Sequence, residues 1–444
     1  MQTMETKKKY TSAFIIVTIL FFLWGFITVL VDSLIPRLKD VFELSYFQAG
    51  LVQFAFFIAY LLFSVPAGWL LSKIGYQKGV ILGLAVMALG CVLFSPAASE
   101  RVFGLFLFGY FTLAAGITIL QVAANPYVAV LGGEDGASSR LNLSQAFNSL
   151  GTAIAPIFGA LFLLSDTIKS SNAIETLSKE ERAAYYAGEA AAVSSPFLIL
   201  ASCIGFLAFL FMFIKLPKIL QENSKGGYGK LLGNKYVLMG VLGIFLYVGA
   251  EVTIGSYLIN YFMDMNLGII VSENETMMNI ANGIATIFNR SFDGKDPKAV
   301  LGIFVIFYWS GAMIGRLVGS YLTRILKPGK VLAIFASFAI VMLLLSMNTY
   351  GLVAMWSILA VGLFNSIMFP TIFTLTIEGQ GDLKPQASGL LCMAIFGGAI
   401  IPPLYGFLTD AIGFKIALLL IIACYAYILF FGYVKSKNTN LVSY

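Results

Sequence analysis

Twelve apolar runs, each long enough to cross a bilayer as a helix, follow one another along this chain with short polar segments between them. They fall near 13–36, 46–72, 79–98, 102–130, 141–165, 194–214, 236–262, 300–323, 330–347, 351–375, 386–410 and 414–434. A helix of about 20 residues crosses a ~30 Å hydrocarbon core. In lipid each backbone N–H and C=O must be satisfied internally, which suits helices to runs of this kind. With 59% hydrophobic and only 11% charged residues, the chain is too apolar to stay soluble as a monomer. The expected fold class is an all-α membrane protein of twelve transmembrane helices. The first run lacks a small-residue cleavage site and leads straight into further spans, so it reads as a retained helix and not a removed signal peptide.

Charge sets the expected orientation. Placing Lys7, Lys8 and Lys9 inside puts 17 Lys and Arg on the inner side and 10 outside, with Arg316 left in a span, and the positive-inside rule then places both termini in the cytoplasm. The net charge of +6 is a topology signal and not a nucleic-acid footprint. Cys91, Cys203, Cys392 and Cys424 all lie in apolar runs and read as packing residues. The chain has no histidine, so neither a zinc site nor a histidine relay is expected.

A polar linker, residues 215–235, separates two halves of six spans, 1–214 and 236–444. The halves share patterns. Gly151-x4-Pro156-x2-Gly159 recurs as Gly398-x4-Pro403-x2-Gly406, and Gly68-x4-Lys73 recurs as Gly319-x4-Arg324, at offsets of 247 and 251. Two parallel six-helix repeats of this kind resemble the major facilitator architecture, with substrate bound near the midplane. Two outer segments, 167–193 and 264–299, are long and polar and read as loops over the outer face. In the first, Ser178-x-x-Glu181 is a capping signature for a short surface helix.

More specific strings resemble the fucose:proton symporter family of that superfamily. They are Leu23-Trp24-Gly25-Phe26 with Asp32 and Leu34-Ile35-Pro36, Leu120 to Pro126, and Arg140 to Asn148. Tyr247 to Val252, Gly311 to Arg316, Phe364 to Thr371 and Gly397 to Pro403 resemble its glucose/galactose transporter branch. The resemblance implies import of a hexose across a bacterial inner membrane, driven by sodium or protons, in a chain that works as a monomer. The chain departs from the fucose-type pattern where it has Gln121 in place of Glu and Glu251 in place of Gln, so the membrane acid has moved to the other half. It also has Val31 where many relatives place Asn, and the loop Gly68 to Lys78 lacks the superfamily's usual Asp.

Two acids lie inside spans. A charge deep in hydrocarbon costs at least ~2.5 kcal/mol and is tolerated where it faces a cavity, finds a partner or binds an ion. Asp32 reads as the cation site, binding a proton or contributing to an oxygen cage for sodium; the bland reading is that it reaches the outer interface. Glu251 reads as a sugar acceptor, a second coupling acid or the partner of a basic group such as Arg316, with a plain structural ion pair as the rival. Gln121, Gln145, Asn148 and Asn365 offer the donors and acceptors a hexose needs, although amides also hold membrane helices together. For Asn125 and Asn142 that second reading is at least as good. Trp24 and Tyr247 share spans with the acids and could stack on a pyranose. Tyr308 and Trp309 carry weaker claims. Lys73, Arg316 and Arg324 read as inner gate residues.

The expected activity is therefore cation-coupled hexose import by alternating access, with no covalent chemistry and no cofactor beyond the coupling ion. A proton-linked exporter of another solute is the rival within transport, and a membrane enzyme or non-transporting sugar sensor is the rival outside it. The amide cluster argues for a polyhydroxyl ligand against the former. The want of a nucleophile motif or soluble domain argues against the latter.

Overall fold

The computed structural model describes residues 2–32, 46–162, 178–214, 216–217, 227–287 and 297–438. Among these residues the regular structure is helical. In chain order the helices are α1 (Gln2–Asp32), α2 (Tyr46–Ile74), α3 (Tyr76–Ser99), α4 (Phe103–Val130), α5 (Ala137–Phe162) and α6 (Lys179–Phe213). After the linker come α7 (Tyr228–Leu232), α8 (Lys235–Asp264), α9 (Leu267–Ser272), α10 (Glu275–Ile287), α11 (Pro297–Ile325) and α12 (Pro328–Asn348). The last five are α13 (Gly351–Asn365), α14 (Met368–Ile377), α15 (Lys384–Met393), α16 (Gly397–Ile412) and α17 (Phe414–Asn438). Eleven described segments have the length and composition of membrane spans. The run read as the fifth span forms α5, whose polar side chains include Asn142, Gln145 and Asn148.

The tenth and eleventh runs are each broken into two helices, α13 with α14 and α15 with α16. Pro370 explains part of the first break. It has no N–H for the carbonyl four residues back, so the Ser366 oxygen is left unclaimed by the helix.

The outer segments hold more helix than the sequence suggested. Ser178 caps as expected: its hydroxyl accepts from the Glu181 N–H at 3.2 Å, and Glu181 Oε2 accepts from the Ser178 N–H at 3.0 Å. The helix it starts is not a short surface helix, however, but runs 35 residues on into the sixth span. Alanine-rich sequence favours continuation, so nothing stops the helix at the membrane edge. The second segment folds in part as α9 and α10, and Asn274 caps α10 by accepting from the Met277 N–H at 3.0 Å.

The chain packs as two compact units. The first comprises residues 1–127, 150–228 and 380–393; the second comprises 128–149, 229–379 and 394–444. Each unit therefore includes a short piece of the other sequence half. In the first, α3 lies along α6 and α2 along α15. The second is built on α12 against α17 and α13, α11 against α13, and α8 against α16 and α17.

Small residues permit these close approaches, as is usual where membrane helices pack without a hydrophobic drive between them. The contact that matters for the site is α11 on α13. A β-carbon at Gly315 would collide with the Leu363 carbonyl and the Ser366 hydroxyl, and one at Gly362 with the Tyr308 carbonyl. Glycine at 315 thus brings the next residue, Arg316, up to the break after α13.

Candidate functional site

Within the second unit, Glu251 lies near the middle of α8, and Tyr247 precedes it by one turn on the same face. The Tyr247 hydroxyl donates to Glu251 Oε1 at 2.7 Å. Arg316 Nη2 stands 3.9 Å from that same oxygen, and the Glu251 side chain is 17% exposed. Both contacts fall on Oε1. Oε2 has no hydrogen-bond partner among the described residues, which leaves an open acceptor inside a membrane-spanning helix.

Arg316 spreads its guanidinium over several acceptors. Nε donates to the Ser366 carbonyl at 3.2 Å, the oxygen that Pro370 cannot use. Nη1 donates to the Gln145 carbonyl at 3.3 Å and to the Ser149 hydroxyl. The planar, five-donor fork suits such divided contact, which a lysine ammonium would not reproduce.

The first turns of α5 join α11 and α14 through a strip of small polar residues. Ser138 and Thr374 hydroxyls lie 2.6 Å apart, and those of Ser139 and Ser320 3.3 Å apart. Asn142 Nδ2 donates to Thr371 Oγ1 at 3.2 Å and to the Ser138 carbonyl at 2.9 Å. Asn142 thus serves as a helix-to-helix tie, the structural role weighed for it in the sequence. Gln145 is buried and Asn148 half-buried on the same helix.

Asn365, at the end of α13, is fully buried. Its Nδ2 donates to Tyr308 OH at 2.7 Å and to Tyr425 OH at 3.1 Å, while Oδ1 is buried with no partner among the described residues. A buried amide oxygen of this kind costs free energy unless water or a ligand meets it.

In the first unit, Gln121 on α4 is buried and donates from Nε2 to Tyr60 OH at 2.6 Å. Trp24 on α1 is buried against Phe21, ring centroids 5.4 Å apart. Asp32 is the last residue of α1, and its side chain lies outside the described part of the structure. Lys73 Nζ sits 3.6 Å from the centroid of the Trp69 ring, and Arg324 is exposed in the last turn of α11.

The structure therefore gathers Glu251, Tyr247, Arg316 and the Gln145 backbone into one cluster. Arg316, read from sequence as a gate residue, faces the membrane acid directly. Sequence reasoning did not find Ser149, Ser366, Tyr60 or Tyr425. Serine and tyrosine in apolar helices carry no signal until their partners, in several cases far away in the chain, are known.

Spans that carry an acid, an arginine and several amides, with helices broken beside them, belong here to a polytopic membrane transporter, as the relatives of the chain show. Residues 13–401 match the family model of the Major Facilitator Superfamily. The chain belongs to that superfamily, within its fucose:proton symporter family and on the glucose/galactose transporter branch. A glucose/galactose transporter of Brucella abortus is 46% identical over 439 residues, covering 98% of this chain and 96% of the relative. A putative glucose/galactose transporter of Helicobacter pylori is 42% identical over 434 residues, covering 95% of this chain and 97% of the relative. The L-fucose-proton symporter of Escherichia coli is 34% identical over 443 residues, covering 98% of this chain and 95% of the relative. A crystal structure of the E. coli fucose:proton symporter, in a single-substitution variant, superposes with a TM-score of 0.83 at 33% identity, covering 96% of this chain and 99% of that one. The fold is accordingly the twelve-helix major facilitator fold.

Proposed function

We propose that this chain imports a hexose of the glucose/galactose type across a bacterial inner membrane, by alternating access coupled to cation symport. The observation that carries this reading is Glu251 Oε2, an open carboxylate oxygen on a spanning helix whose other oxygen is held by Tyr247 and approached by Arg316. Such an oxygen accepts a sugar hydroxyl or a proton, and both events alter the local charge balance. The glucose/galactose transporter relatives, at 46% and 42% identity over nearly the whole chain, support the substrate class.

In this reading Asp32 binds the coupling cation, and Glu251, Gln121, Gln145, Asn148 and Asn365 supply polar contacts to the sugar, with Trp24 and Tyr247 as stacking surfaces. Symport requires sugar and cation together to favour the state that switches access, while either alone does so poorly. The proton is the favoured ion, since the E. coli and Haemophilus influenzae relatives are fucose-proton symporters; sodium is the alternative. Both termini lie in the cytoplasm and a single chain suffices.

The test is uptake of labelled glucose, galactose and fucose into proteoliposomes, with proton and sodium gradients imposed separately. Accumulation of glucose or galactose under one gradient alone supports the reading and names the ion. No gradient-driven uptake of any hexose overturns it in favour of an exporter of another solute or a sensor.

A further inference from the structure

Arg316 touches both the membrane acid and the start of α5. Toward α8 it approaches Glu251 Oε1. Toward α5 it donates to the Gln145 carbonyl and the Ser149 hydroxyl. Below those contacts α5 is tied to α14 and α11 by Ser138 with Thr374, Asn142 with Thr371, and Ser139 with Ser320. Of the residues making these ties, 138, 142 and 149 share one face of α5 by their spacing, and Ser139 lies beside that face toward α11. The ties are neutral hydroxyl and amide contacts apart from the one at Arg316, which carries a charge.

We infer that Arg316 is a positioning residue that transmits the charge state of Glu251 to the α5 seam, so that neutralising the acid loosens the hold of α11 and α14 on α5. This rests on the proposed role of Glu251 as the site's acid and adds the means by which occupancy reaches the helices.

A guanidinium in a low dielectric needs a counter-charge or water. Arg316 is 13% exposed and its neutralising charge is Glu251. Among the described residues, the other ionisable groups around that carboxylate are phenols: Tyr247 on α8, Tyr308 on α11 and Tyr425 on α17. None of them supplies a negative charge in its ordinary state. When Glu251 takes up a proton, or is shielded by a bound ligand, Arg316 becomes a partly buried cation without a counter-charge, a strongly unfavourable arrangement. The arrangement is relieved when water reaches the guanidinium, and water reaches it by parting α11 from the Ser149 and Gln145 end of α5. Serine at 149 matters because its hydroxyl is the side-chain acceptor on α5 for this cation.

The pair Ser139 and Ser320 supplies a reporter that needs no knowledge of the substrate. In a full-length chain with the four cysteines replaced, Ser139→Cys and Ser320→Cys place two thiols where hydroxyls now lie 3.3 Å apart. The rate of disulfide formation in proteoliposomes, with a copper–phenanthroline oxidant added to take the two electrons at one fixed pH, then reads how long the seam stays closed. Added Glu251→Gln, which keeps shape and removes charge, is expected to slow cross-linking severalfold. Arg316→Gln is expected to do the same, Arg316→Lys to slow it less, and Ser149→Ala to slow it where Ser149→Thr does not. Glu251→Gln and Arg316→Gln combined are expected to be no slower than either alone. Equal rates with Glu and Gln at position 251 would overturn the inference, as would effects of the two substitutions that multiply. Because the reporter measures the seam and not flux, hexose uptake in wild type with an unresponsive seam refutes this inference alone. Absent uptake with a responsive seam refutes the proposed substrate alone.

Discussion

Arg316 donates from Nε to the Ser366 carbonyl at 3.2 Å, an acceptor left unclaimed because Pro370 lacks the N–H that would bond it within the helix. A covalent property of one residue thus creates the acceptor that orients another. With Nε fixed there, the fork turns Nη2 toward Glu251 and Nη1 toward Ser149.

Replacing Pro370 tests that dependence. Pro370→Ala restores an N–H that competes for the Ser366 oxygen, so Arg316 loses part of its anchorage. Uptake is expected to fall severalfold while the protein folds and inserts normally. Wild-type initial rates in proteoliposomes would show that the break does not serve Arg316.

The Tyr247 hydroxyl supplies the short hydrogen bond to Glu251. Hydrogen bonds to charged groups are worth about 1.5–3 kcal/mol, or roughly 10- to 100-fold in an equilibrium constant. Tyr247→Phe is expected to weaken galactose binding on that scale if the sugar needs Glu251 held in place. Binding isotherms on detergent-purified protein measure it, and an unchanged dissociation constant would separate Tyr247 from the site.

Gly315 permits the α11 and α13 approach, and Gly315→Ala must push the helices apart or shift the Leu363 carbonyl. Overpacking of this kind costs about 1–3 kcal/mol. A lower thermal midpoint is expected, with transport reduced more than stability because Arg316 moves with the helix. A midpoint equal to wild type would mean that α13 yields freely.

Asn365 holds Tyr308 and Tyr425 and leaves its own Oδ1 buried without a partner among the described residues. Asn365→Leu removes both donors and strands two buried phenols, a loss of about 1–3 kcal/mol each in the unfavourable limit. If the amide oxygen meets a sugar hydroxyl, added galactose raises the thermal midpoint of wild type but not of Asn365→Leu. Equal shifts in both would assign Asn365 to packing.

How much of this was legible in the sequence depended on the range of the interaction. The helical spans and the intramembrane acid Glu251 follow from composition along the chain, because lipid penalises charge and unsatisfied backbone wherever they occur. The Ser178 capping box is local and was readable for the same reason. The length of α6 was not, since nothing in the sequence marks where a cap's influence ends within an alanine-rich run. Arg316 was visible as a charge in a span, but its neighbour Arg324 drew it toward the inner gate. Only the fold reveals that Gly315 and Pro370 turn it to Glu251. Tyr425 and Ser149 gave no sign, because single polar atoms in apolar helices acquire meaning from partners on other helices.

The proposed link from a cation gradient to hexose movement through Glu251 and Asp32 is read by comparing accumulation with exchange. Proteoliposomes carrying wild type, Asp32→Asn or Glu251→Gln would be assayed for gradient-driven galactose accumulation and for galactose counterflow without a gradient. Wild type is expected to do both; Asp32→Asn is expected to keep counterflow and lose accumulation; Glu251→Gln is expected to be impaired in both, since it alters the proposed sugar contact and the hold of Arg316. Full accumulation in Asp32→Asn and Glu251→Gln alike would contradict the account.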